Sequence, residues 1–221
     1  MAIELGRRER KKEQTRRLIF EVAARLFGQK GFDAVTVAQV AAAADVSEPT
    51  VFNYFPTKED LFFGGMTFFE EELLRAVRER PAGESVIAAF SGPVVDGCRG
   101  LNDPAHAEVI ARAARLINGS EALRVREREI AAGYTRRLAE QIAEEAGRSP
   151  EDAEAWGVAS ALMGVQRALV LYVRTRVLAG DRGRPLAASA RSQANRAFAR
   201  LEHGFAGYCV ASPRGRKEVV K

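Results

Sequence analysis

The residues best suited to chemistry in this chain are binders, not catalysts. Glu48, Thr50, Asn53 and Tyr54 fall on one side of a short helical stretch, and Val51 and Phe55 repeat at i, i+4 on the other. A helix lying in the major groove would present the polar side to base edges. Asn pairs in bidentate fashion with adenine, Thr offers its methyl to thymine, and Glu accepts from cytosine N4. Glu48 has a second reading, as an acid that suits the positive end of a helix dipole. By contrast, the chain has only two histidines, His106 and His203, far apart and without an evident Ser or Cys partner. G-x-x-x-x-G-K-[ST], G-x-S-x-G and H-E-x-x-H are absent. The expectation is a non-enzyme that needs no cofactor and no metal.

The elements that must position these residues are read from their punctuation. Thr36 is a good N-cap for a helix Val37 to Ala43, and Ser47 caps the next, with Pro49 in its first turn. Three or four residues separate these two short helices, the spacing of a helix-turn-helix. Val40, Ala41 and Ala44 give the first helix a small apolar face, and Val46 plugs the turn. Val40, Ala41, Val46, Val51 and Phe55 are therefore structural. Asp45 sits where the turn needs a left-handed residue, which Asp tolerates. Upstream, apolar residues from Leu18 to Phe27 predict a helix from about Lys11 to Gln29, stopped by Lys30-Gly31. Thr57 caps a fourth helix opening Lys58-Glu59-Asp60 and running toward Arg80, with Gly64-Gly65 as a place to bend.

Charge supports the same reading. The 221 residues carry a net charge of +5. Residues 7–30 hold nine Lys or Arg against three acids, more than the whole surplus. Such a basic arm beside a helix-turn-helix suits phosphates. Arg214, Arg216, Lys217 and Lys221 form a smaller cluster at the end. The competing reading is a basic helical protein that binds DNA without sequence preference, or a membrane surface.

The run Thr36 to Leu61, ending Val46-Ser47-Glu48-Pro49-Thr50-Val51-Phe52-Asn53-Tyr54-Phe55-Pro56-Thr57-Lys58-Glu59-Asp60-Leu61, resembles the signature of the tetracycline-repressor (TetR) family of transcriptional regulators. Ala23 to Asp33 is similar to that family's first helix and its exit. The likeness spans about the first quarter of the chain. It implies phosphate contacts from Thr36, Ser47, Tyr54 and Lys58, with Arg16 and Pro49 in the same interface, and base contacts from Thr50 and Asn53. Two positions depart from the family's pattern: Asp45 replaces the usual Gly, and Phe52 replaces a frequent Tyr, so Phe52 is expected to pack.

The remainder reads as an all-α body. Helices are predicted at Glu84–Gly97, Ala105–Ile117, Ser120–Ala146, Pro150–Ala179 and Leu186–Val210, about nine in total. The division expected is 1–56 for DNA binding, 57–211 for effector binding and dimerisation, and 212–221 for a basic tail. Ala155 to Val173 is nearly apolar but contains Gln166 and Arg167, so a helix buried on most sides is expected, not a membrane span. The start has no apolar core of a signal peptide, and Cys98 and Cys209 read as reduced thiols, so a cytoplasmic protein is expected.

The resemblance further implies a homodimer on a near-palindromic operator, with repression released by a small-molecule effector. Ala194, Phe198, Leu201, Phe205 and Tyr208 step by 4, 3, 4 and 3 and form the expected dimer face. Candidate pocket residues are Phe90, His106, Arg112, Tyr134, Trp156, Met163, Gln166 and Arg167, each of which is equally readable as core or surface. Arg167 stands out, because a buried cation needs an acid partner or an anionic effector.

Overall fold

The computed structural model describes residues 6–204, and among them the chain is helical throughout. Nine α-helices follow in order: α1 Arg7–Lys30, α2 Val37–Ala43, α3 Glu48–Tyr54, α4 Lys58–Arg78, α5 Val86–Gly97, α6 Pro104–Gly119, α7 Glu121–Glu145, α8 Ala153–Leu178 and α9 Gly183–His203. A 3₁₀ turn, Cys98–Asn102, joins α5 to α6. The all-α expectation holds, with one difference at the first helix. The basic segment is itself helical from Arg7, so arm and first helix are one element. In α4 the Gly64-Gly65 pair causes no break.

Gly64 is there for packing. A Cβ at this position would lie 2.7 Å from the Phe20 ring and 3.1 Å from Phe55. Its absence lets α1 and α4 approach closely over those rings. Around them Ile19, Ala23, Phe27, Val40, Val51, Phe55, Leu61 and Phe63 are buried in one cluster. Phe27, Phe32, Phe62 and Phe63 add tilted and edge-on ring contacts 5.0–6.1 Å apart. Such pairs contribute about 0.5–1.5 kcal/mol each beyond area burial.

The body is organised by α7 running parallel to α4. Arg126 bonds Asp60, Arg137 bonds Glu71, Gln141 donates to the Leu74 carbonyl, and Arg80 pairs with Glu145. Both helices ascend through these ties in the same order. α8 and α9 complete the body, and Phe198 of α9 meets Phe90 of α5 at 6.1 Å. Cys98 is buried and its thiol points at the Val94 carbonyl. Burial pushes that thiol's pKa up, which suits an inert side chain. Cys209 and the closing basic cluster lie outside the described residues.

Candidate functional site

The two short helices are held by their caps. Gln39 donates its backbone N–H to Thr36 Oγ1 at 3.2 Å, and Thr36 donates back to Gln39 Oε1 at 3.1 Å. This reciprocal box satisfies two otherwise orphaned donors. Ser47 Oγ accepts from the Thr50 N–H at 3.3 Å and shares a 2.8 Å bond with the Thr50 hydroxyl. Between the helices Asp45 adopts φ 53°. Val46 then donates to the Ala41 carbonyl at 3.0 Å and closes the turn. Seven-residue helices are too short to persist alone. Buried Val40, Ala41, Ala44, Val51 and Phe55 tie them to the core.

With Val51 inward, α3 turns Glu48, Pro49, Phe52 and Asn53 to solvent. Neither Glu48 nor Asn53 is tied to another side chain among the described residues, so both present free polar groups. Thr50 and Tyr54 are half-buried. The Thr50 hydroxyl is engaged with Ser47, while its methyl carries no such tie. Phe52 does not pack as expected. It is 44% exposed, since the single buried stripe of this short helix is used by Val51.

Two cations expected in the DNA interface rest on aromatic rings in the protein. Lys58, the first residue of α4, places Nζ 4.3 Å from the centre of the Phe32 ring and bonds the Asp33 carbonyl at 3.5 Å. Arg16 lies over the Phe68 ring at 4.6 Å and Phe55 at 5.8 Å. Both cations are half-buried on aromatic faces, where each contact is worth roughly 0.5–2 kcal/mol. Arg16 is thereby a brace between α1 and α4, not a residue reaching out from the arm.

The capping pattern recurs at α4. Asp60 donates its N–H to Thr57 Oγ1, and Thr57 donates to Asp60 Oδ2. The second oxygen of Asp60 takes Arg126 of α7 at 2.9 Å. One carboxylate therefore joins the start of α4 to the body.

In the body the expected pocket set divides. Phe90, Tyr134, Met163 and Gln166 are buried, and Trp156 is half-buried with its indole N–H on the Pro150 carbonyl at 2.9 Å. His106, Arg112 and Arg167 are exposed and line no interior. On α6 the inward face belongs to Ala107, Ala111, Ala114 and Ile117, which leaves positions 106 and 112 outside. On α8 the inward face includes Leu162, Met163 and Gln166, so the next residue, Arg167, turns out to water. No buried acid faces it, and the expectation of a buried cation at 167 is overturned.

The expected dimer stripe divides. Ala194 and Phe198 are buried in this chain's own core, and Leu201 packs against it. Phe205 and Tyr208 lie outside the described residues. Apolar surface remains open on α8, at Leu171 and Leu178, and singly on other helices at Leu18, Phe52, Phe68, Val109 and Val125. Only 28% of the most apolar stretch of α8 is buried, against the expected cover on most sides. Leu171 is 66% exposed there. Val165, Ala168, Leu169 and Tyr172, with Gln193 and Ala197 of α9, line a shallow groove with Ala194 in its lining. By length and composition alone α8 could cross a membrane.

An acid cluster went unnoticed in the sequence. Glu70 is 3% exposed, and its Oε2 has no hydrogen-bond partner. Glu71 beside it takes both Arg137 nitrogens and the Tyr134 hydroxyl. Glu127 takes Arg174. Burial, then the charges of Glu127 and Glu71, push the Glu70 pKa up to about 8. The Arg137 bonds hold Glu71 below its ordinary value. Burial likewise lifts Tyr134 to about 12. The available signal was position: Phe63, Glu70 and Val77 are seven residues apart on the buried face of α4.

Comparison with known proteins agrees with this geometry. Residues 19–64 match the model for bacterial regulatory proteins, tetR family. The HTH-type transcriptional regulator TcmR of Streptomyces glaucescens is 37% identical over 87 residues, which is 39% of this chain and 38% of that protein. The uncharacterised HTH-type transcriptional regulator YuxN of Bacillus subtilis is 28% identical over 79 residues, 35% of this chain and 27% of that protein. The matches thus span well under half of those relatives' own length. Native NalD, the secondary repressor of the MexAB-OprM multidrug efflux pump in Pseudomonas aeruginosa, is 19% identical over 85% of this chain and 96% of its own, with a TM-score of 0.54. That likeness is one of fold. Residues 19–64, the helix-turn-helix region, are thus similar to the bacterial regulatory proteins of the tetR family.

Proposed function

We propose that the protein is a sequence-specific DNA-binding transcriptional regulator whose body senses a small molecule. The observation that carries this is the outward face of α3, where Asn53 and Glu48 stand free beside the Thr50 methyl and exposed Phe52. A recognition helix needs such a face, and a core helix cannot keep one. Asn53 reads an adenine, and Thr50 and Phe52 touch thymine methyls or sugars. Thr36, Ser47 and Tyr54 hold phosphates with the N-termini of α2 and α3. Lys58 adds its charge from its seat on Phe32. Residues 1–56 act as the reading unit and 57–211 as the sensing and dimerising unit.

One helix-turn-helix reads few base pairs, so two copies act together on a near-palindromic operator. The uncovered apolar face of α8, with the neighbouring α9 residues of the groove, is the surface a second copy covers. Ligand binding in the body shifts the two heads and releases the DNA. The test is a gel shift with DNA flanking the protein's own gene, run over a salt series beside scrambled DNA. Selective binding of a near-palindrome supports the reading. Equal, strongly salt-dependent binding to all sequences supports the non-specific one. Light scattering on the free protein tests the pairing, and a monomer that sediments with lipid vesicles contradicts it.

A further inference from the structure

Asp60 has two tasks at the start of α4. Its Oδ2 accepts the Thr57 N–H at 3.0 Å, and its own N–H donates to Thr57 Oγ1 at 3.1 Å. Its Oδ1 accepts from Arg126 of α7, from Nε at 2.9 Å and from Nη2 at 2.8 Å. The cap needs the carboxylate's oxygen but not its charge. The charge works against any phosphate that approaches Lys58, two residues back and about 3 Å along the helix axis. Charges this close interact well inside the screening length, which is about 10 Å at 0.1 M salt. Glu59 is a further acid in the same turn. Alone, the first turn of α4 would set Lys58 against two acids. Arg126 is the cation that offsets Asp60. Its Nη1 also holds Glu129 at 2.9 Å, but Glu129 is 56% exposed and screened by water, whereas Asp60 is 14% exposed.

We propose that Arg126 is a positioning residue for DNA binding: by holding and neutralising the Asp60 carboxylate, it lets the first turn of α4 meet a DNA phosphate through Lys58. This rests on the reading of the chain as a DNA-binding regulator. Arg126 itself touches no DNA and acts through Asp60. The contact it supports is to a phosphate, so it carries no sequence preference. The tie joins α7 of the body to the turn that adjoins the reading unit. Linkage makes the effect mutual: whatever parts Arg126 from Asp60 weakens DNA binding, and bound DNA tightens the tie. The other ion pairs along these two helices, Arg137 with Glu71 and Arg80 with Glu145, lie farther from Lys58 and cannot serve it in this way.

The experiment is DNA binding by the full chain, read by fluorescence anisotropy over a salt series. The DNA is a near-palindromic site that the wild type selects from random duplexes, and circular dichroism checks that each variant is folded at the same temperature. Arg126→Ala should bind about fivefold more weakly at roughly 0.1 M salt, alike on the selected site and its single-base changes, with a salt slope shallower by about one. Arg126→Gln, milder in packing, should show the same loss. Arg126→Lys keeps the charge and should stay within about twofold of the wild type. Asp60→Asn keeps an oxygen for the cap and removes the charge, so adding it to Arg126→Ala should restore most of the lost affinity. Arg80→Ala cuts the Glu145 tie and should lower stability without changing DNA affinity. Wild-type affinity in Arg126→Ala, or a double variant no better than Arg126→Ala, would overturn the assignment. A wild type that selects no site contradicts the regulator reading itself. Selective binding that Arg126→Ala leaves intact removes this inference alone.

Discussion

Arg126 of α7 bonds Asp60 at 2.9 Å, and the same carboxylate closes the capping box that starts α4. Any displacement of α7 is thus passed to the first turn of α4, beside Lys58. Asp60 is 14% exposed and Arg126 about a third, so the bond is partly shielded from water.

Arg126→Ala should cost roughly 1–2 kcal/mol, below the full value of a buried charged bond because Arg126 is about a third exposed. Urea unfolding measures it. Hydrogen exchange of the Asp60 and Leu61 amides should quicken more than that of α7. Unchanged exchange at α4 would show that the tie does not hold the joint.

Gly64→Ala should destabilise, although alanine is the better helix former by about 1 kcal/mol. The new Cβ meets Phe20 and Phe55 at 2.7 and 3.1 Å, and overpacking of this kind costs about 1–3 kcal/mol. Gly133→Ala in α7 is the control, because a Cβ there meets nothing within 4 Å. It should raise the melting temperature, and Gly64→Ala should lower it.

Asp45 adopts a left-handed backbone at φ 53°. Asp45→Gly should be neutral or slightly stabilising, and Asp45→Val should cost about 1–3 kcal/mol through strain in the turn. Both are read by thermal melts, and DNA affinity should fall with Val alone.

Glu70 makes stability depend on pH. Its folded pKa, about 8, lies above the ordinary carboxyl value of 4.5 that holds in the unfolded chain. The folded state therefore holds the extra proton between those values, and stability falls as pH rises through the window. The slope is at most about 1.4 kcal/mol per pH unit. Glu70→Gln should flatten it, as seen by urea melts from pH 5 to 8. An unchanged slope would assign it to other groups.

Helices α2 and α3 were legible because their signals are local. Thr36 and Ser47 are caps set by residues within one turn of them, and Asp45 marks the turn. The arm, the body and its surfaces depend on tertiary packing. Arg16 and Lys58 carry the charge that suits phosphate, yet their aromatic seats, Phe68 and Phe32, are set by folding. Arg167 drew notice as a charge inside an apolar run, but the direction of α8 turns it outward and takes Gln166 in. Glu70 is the converse case. It looked like one more acid among Glu70, Glu71 and Glu72, and only the phase of α4 shows which of the three is buried.

The central claim is that α3 reads DNA bases, and Asn53→Ala tests it most directly. Binding of the wild type and the variant is compared across a near-palindromic site and its single-base changes. The account predicts a loss of about 1–3 kcal/mol on the preferred site and a levelling of preference at one base pair per half-site, with the salt slope unchanged. An equal loss on every sequence, with a shallower salt slope, would make Asn53 a backbone contact and contradict the account.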